Sequence, residues 1–97
     1  MDNNQLNFNR DENSIYVLDN KDFNVRIAEI DFRIVEEGTI EVYRTFVDES
    51  LRGMGVANKL VEELIIYMKE NNLKCIPICS YVVKWFEKHE NMSYLLK

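Results

Sequence analysis

The chain has 97 residues, 46% of them hydrophobic, and its 17 acidic and 12 basic side chains leave a formal net charge of −5. That length makes a single domain, 1–97, which hides roughly 65% of its unfolded surface, and the apolar content excludes a disordered polypeptide. The acidic balance argues against nucleic acid and a polybasic membrane anchor, and no apolar run approaches the ~20 residues of a membrane span.

Residues 1–13 hold five asparagines and few apolar side chains. Leu6 and Phe8 alternate, so the segment reads as a frayed tail or a short edge strand. It has no hydrophobic stretch and is no secretory signal, which makes the cytoplasm the expected compartment. Ile15 to Leu18 form a β-rich run that stops at the turn Asp19-Asn20-Lys21-Asp22. From Phe23 to Val35 the chain alternates, with Val25 and Ile27 on one face and Ile30, Phe32 and Ile34 on the other. The phase slips near Ala28-Glu29, which predicts a bulge or a strong twist. After the turn Glu37-Gly38, the strand Thr39–Val47 also slips, between Val42 and Tyr43. Three strands joined by tight turns predict an antiparallel meander.

The period then changes. Val56, Leu60, Val61, Leu64, Ile65 and Met68 follow 3.6-residue spacing, which predicts a helix over about 54–71. Lys74–Ile78 is a short strand, and Ser80 suits the N-cap of a second helix reaching His89. Its inner face would carry Tyr81, Val82, Trp85, Phe86 and His89. Pro77 cannot donate to a ladder, so its amide side should lack a strand partner. The order is β-β-β-α-β-α, a mixed α+β domain.

Cys75 and Cys79, four strand residues apart at ~3.3 Å each, are separated by roughly 13 Å and cannot bridge each other. With His89 they make no convincing metal site, and none is expected.

Two of the three glycines stand together in DESLRGMGVANKL, between a strand and a helix. A glycine-rich turn entering a helix gathers free amides at a positive dipole end, which suits phosphate. The spacing matches neither the P-loop nor the dinucleotide fingerprint. Arg52-Gly53-Met54-Gly55-Val56-Ala57 instead resembles the [Q/R]-x-x-G-x-[G/A] motif of the GNAT superfamily of N-acetyltransferases. Pro77-Ile78-Cys79-Ser80-Tyr81-Val82 adds a second motif, and the pair resembles the short GNAT-like acetyl-CoA-binding proteins.

The resemblance implies a truncated GNAT fold with a splayed parallel strand pair at the coenzyme site. The amides of Arg52, Gly53, Met54, Gly55, Val56 and Ala57 would hold the coenzyme A pyrophosphate. The strand ending in Phe46 and Val47 would pair with the pantetheine arm. It implies an acetyl-CoA-binding N-acetyltransferase-like protein acting on an unidentified amine, as a monomer or weak dimer. Two departures favour the alternative, a non-catalytic acyl-CoA-binding sensor or carrier. Phe86-Glu87-Lys88 stands where the enzymes carry a tyrosine acid, and Arg44 stands where the short proteins commonly have histidine. The helical segment that usually follows the first strand is also missing. Cys79 reads either as a small core residue or, just before the last helix, as a thiolate nucleophile. Arg44 and Tyr81 complete the candidate catalytic set.

Overall fold

The computed structural model describes residues 6–97; residues 1–5 of the asparagine-rich start lie outside it. The strands are β1 Asn9–Arg10, β2 Ser14–Leu18, β3 Arg26–Glu36, β4 Thr39–Val47 and β5 Lys74–Pro77, and the helices are α1 Val56–Glu70 and α2 Ser80–Lys88. They build one five-stranded sheet in the order β1-β2-β3-β4-β5, antiparallel except for the parallel pair β4–β5. The two-residue β1 extends the expected meander by an edge strand; Leu6 joins the core.

Both phase slips are bulges. Val17 and Leu18 pair with Ala28 and Arg26, leaving Ile27 as the extra residue. Asp31 and Phe32 pair with Arg44 and Val42, leaving Tyr43 as the extra residue. Each bulge keeps apolar side chains on one face, since a one-residue slip would otherwise turn them to the other. Ile15, Val17, Ala28, Ile30, Phe32, Ile40, Val42 and Cys75 are accordingly buried together. Ile34 departs from the expected pattern: it is 66% exposed, nearer the hairpin tip and outside the cover of the helices.

Both helices pack on this apolar face. Helix α1 buries the six residues of its periodic stripe. It stops where Asn72 turns left-handed at φ 55, with Asn72 N–H donating to Lys69 and Leu73 N–H to Met68, a Schellman ending. Helix α2 buries Val82, Trp85 and Phe86. Its cap is Cys79, not Ser80, because Cys79 keeps extended dihedrals while its carbonyl accepts from Val83. Ser80 is therefore the first helical residue.

The last strand lies at the sheet edge. Lys74 and Ile78 donate to Gly38 and Val42 of the β4 side, so alternation turns the amide position of Pro77 outward. Its missing N–H costs no ladder bond there. Past Pro77 the strands part: β5 pairs with Thr39–Val42 only, and Ile78 and Cys79 both donate to the Val42 carbonyl. Tyr43–Val47 thus keep an open edge. Among the described residues, no helix is long and apolar enough to cross a membrane.

Candidate functional site

The loop between β4 and α1 is held by its own side chains. Asp48 caps a 3₁₀ turn at Glu49–Leu51, its carboxylate accepting from Ser50 N–H at 3.0 Å and from Ser50 Oγ at 2.6 Å. These two bonds hold its pKa below the ordinary carboxylate value. The acidic pair Asp48-Glu49, awkward beside an anion site, is thus a structural device for the turn. Leu51 is buried and anchors the turn to the core.

Gly53 and Gly55 follow at φ 82 and φ 72, left-handed values that only glycine adopts at little cost. Gly55 is the N-cap of α1 and offers no side-chain oxygen. The first-turn amides of Val56, Ala57 and Asn58 therefore stay uncapped. Val47, Arg52, Gly53, Gly55, Ala57 and Tyr81 surround a cavity of about 220 Å³ over these amides. Met54, half-buried, packs toward the core beside it.

The open edge of β4 leads away from this cavity. Asp48 N–H donates to Ile27, so alternation turns the polar backbone of Phe46 toward β3 and that of Thr45 and Val47 outward. Of the expected pair Phe46 and Val47, only Val47 presents its backbone to the open edge. Thr45, which sequence reasoning missed, is its partner there. The bulge at Tyr43 sets that parity, and the slip in periodicity was the signal that could have found it.

Cys79 lies where the strands part. Its Sγ is 3.4 Å from Thr45 Oγ1 and occupies the cap position of α2. Burial pushes the thiol pKa up, but Thr45 and the amides of Val82 and Tyr81 outweigh it and leave it below the ordinary value. Those amides point at the sulfur without forming a short cap bond. Cys75 is the opposite case: fully buried, its pKa is pushed up to about 12.

The other candidates are placed apart. Arg44 projects from the face opposite the helices, where its guanidinium binds Glu29 at 2.9 Å and Asp31 at 3.1 Å. Tyr81 lines the loop cavity, with its pKa raised by burial. Phe86 is core. His89 stacks on Trp85 with centroids 3.8 Å apart. Among the described residues no group of three or more histidines, cysteines or acids is placed to hold a metal. A groove of about 450 Å³ between Gly38, Lys69, Leu73 and Tyr94 touches none of the expected site residues.

Residues 15–95 match the family described as GCN5-related N-acetyl-transferase. A GCN5-like protein from Staphylococcus aureus is 34% identical, with a TM-score of 0.76 over 95% of this chain and 88% of its own. A Mycobacterium tuberculosis protein solved with CoA shares 13% identity and the fold, at a TM-score of 0.61, over 80% of this chain and 47% of its own. An Escherichia coli GNAT family N-acetyltransferase, also solved with CoA, gives 20% and 0.56 over 66% of this chain and 38% of its own. The chain thus spans most of the first relative and under half of the two larger ones. No curated protein matches it by sequence.

Proposed function

The chain belongs to the GCN5-related N-acetyltransferase family, and we propose that it binds acetyl-CoA and passes the acetyl group through Cys79 to an amine. The residues fit the donor. Uncapped amides at 56–58 and the Arg52 guanidinium suit a pyrophosphate, whereas the expected amides of Arg52 and Met54 already donate to Glu49 and Leu51; the outward backbone of Thr45 and Val47 suits the amides of a pantetheine arm. Two proteins of the same fold are complexes with CoA.

The observation that carries the reading is the place of Cys79: at the parting of β4 and β5, on the cap of α2, with a lowered pKa. A thiolate there adds to the thioester carbonyl while the first-turn amides of α2 face the developing oxyanion. The bond to the coenzyme sulfur breaks, and the coenzyme leaves as a thiolate that takes up a proton. An unprotonated amine then attacks the Cys79 thioester, giving the amide, a released proton and the free thiolate. This route needs no tyrosine acid at Phe86.

A non-catalytic acyl-CoA-binding protein is the second reading, favoured by Arg44, whose guanidinium is tied to two carboxylates and is no general base. Mass spectrometry after incubation with acetyl-CoA decides between them. Acetyl on Cys79 and none on Cys75 supports the transferase; an unmodified Cys79 in coenzyme-saturated protein leaves the binding protein. Gly55→Val should abolish coenzyme A binding in calorimetry, because a β-branched residue is strained at φ 72 and reshapes the loop, while a thermal melt shows that the fold is kept. Wild type that fails to bind at millimolar coenzyme, where binding is worth only about −4 kcal/mol, would remove both readings.

A further inference from the structure

Among the described residues Ser14, Asp31 and Thr39 are the buried polar or charged ones. The fold answers the first two. Ser14 Oγ accepts from Arg26 at 2.8 Å and donates to Asp11 at 3.1 Å, and Asp31 accepts from Arg44 at 3.1 Å. Thr39 is only 2% exposed, and its hydroxyl has no hydrogen-bond partner among the described residues. A buried hydroxyl without a partner costs stability, and native folds rarely keep one.

Thr39 borders the groove of about 450 Å³ at the end of α1 and the starts of β4 and β5. That volume falls in the ~300–1,000 Å³ range of small-molecule sites. Met68 and Leu95, both buried, give the groove an apolar side, and Tyr94 stands on its wall 57% exposed.

Its rim is basic. Lys74 is the register partner of Thr39 on the neighbouring strand, Lys69 lies in the last turn of α1, and Lys97 comes from the closing segment. Lys97 is tied to Glu36 at 3.2 Å. Lys69 and Lys74 have no ion-pair partner among the described residues. The chain carries 17 acids against 12 bases, yet here three lysines meet a single carboxylate, that of Glu37.

We propose that this groove binds a sugar phosphate. Lys69 and Lys74 meet the phosphate, which carries about −1.5 to −2 charge at neutral pH. Lysines act on it as point charges, whereas a planar carboxylate is better matched by the fork of an arginine. The Thr39 hydroxyl donates to a phosphate oxygen and so gains the partner that the fold withholds. Glu37, an acceptor when ionised, takes hydrogen bonds from the sugar hydroxyls. The groove is a second site: Val56 and Lys69 stand at opposite ends of α1, about 20 Å apart by helical rise. Its occupancy does not depend on the acyl-CoA reading.

Amide NMR titration of the full chain at low salt, with ribose-5-phosphate, inorganic phosphate and ribose, is the test. Millimolar ribose-5-phosphate should shift the amides of Gly38, Thr39, Lys69 and Lys74. Inorganic phosphate should shift the same amides with at least threefold weaker affinity, and ribose should shift none. The Lys69→Gln/Lys74→Gln double variant, changed at two exposed positions, should keep its melting temperature and bind at least tenfold more weakly. Thr39→Val should also bind several-fold more weakly. It should melt no lower than wild type without ligand, because the hydroxyl it removes has no partner in the fold. No shift with ribose-5-phosphate, shifts confined to the glycine loop at 53–57, or full affinity in the double variant would overturn the site. Inorganic phosphate binding as tightly as ribose-5-phosphate would overturn the sugar phosphate as its ligand. Thr39→Val melting below wild type would overturn the role of the hydroxyl. Each of these failures leaves the acyl-CoA reading standing.

Discussion

Glu29 and Asp31 share the guanidinium of Arg44 on the sheet face away from the helices, and the two carboxyls respond to it differently. For Glu29, burial raises the pKa, but hydrogen bonds from Asp31, Arg44 and Arg26 outweigh it and leave it below 4.5. For Asp31, burial first and then the neighbouring Glu29 raise the pKa from 3.8 to about 6, against the pull of Arg44. Between pH 4.5 and about 6 the folded chain therefore holds a proton on Asp31 that the unfolded chain has released. Stability contributed through Asp31 falls as pH rises across that window, by up to about 2 kcal/mol. Glu29 acts below it, since a depressed carboxyl loses its contribution only as pH falls through its own pKa. Urea unfolding of wild type and Asp31→Asn at several pH values checks this. The wild-type midpoint should decline relative to the variant from pH 4.5 to 6; parallel profiles would count against the shared proton. The same cluster explains why Arg44, a candidate from its motif position, serves as a counter-ion.

At the scale of elements, a side-chain hydrogen bond joins α1 and α2 beside the glycine loop. Trp85 is buried and its indole N–H has Asn58 as acceptor. Asn58→Leu leaves that donor unpaired away from water, which should cost about 1–3 kcal/mol in chemical denaturation. Trp85→Phe in the Asn58→Leu background removes the orphaned donor. It should therefore cost less there than in wild type, and equal costs in the two backgrounds would show that the bond adds nothing. The stripe of α1 and the turns at Asn72 and Gly38 were legible because they depend on local chemistry alone. The cap of α2 was misread by one residue. Serine is the common cap by propensity, but the two bonds from Ile78 and Cys79 to Val42 bind Cys79 to β4 and end the strand there.

For the whole molecule, residues 90–97 close the sheet. Leu95 is buried, Leu96 bridges to Cys75, and Lys97 N–H donates to the Cys75 carbonyl at 2.9 Å. Deleting them uncovers the outer edge of β5 and removes one leucine from the core, worth about 1.5–3 kcal/mol by burial alone. The melting temperature should fall by roughly 10 °C for a domain of this size. Cys75, buried in the intact chain, should become alkylated by iodoacetamide. A deletion that melts like wild type, with Cys75 still protected, would show that the closing turn is dispensable.

Periodicity and turn chemistry determined the elements, the bulges at Ile27 and Tyr43, the buried stripe of α1 and the glycine loop, because each of these is set within a few residues. Pro77 even announced the edge of the sheet, since a missing N–H is a local fact with a topological consequence. What the tertiary structure alone decided is which groups converge. The outward turn of Thr45 depends on where the Tyr43 bulge falls against β3. The approach of Cys79 to Thr45, 34 residues away, depends on β5 parting from β4 after Val42. The groove that gathers Thr39, Lys69 and Lys74 exists only once the end of α1 lies against the starts of β4 and β5. Such contacts join residues distant in sequence, and packing, not propensity, brings them together.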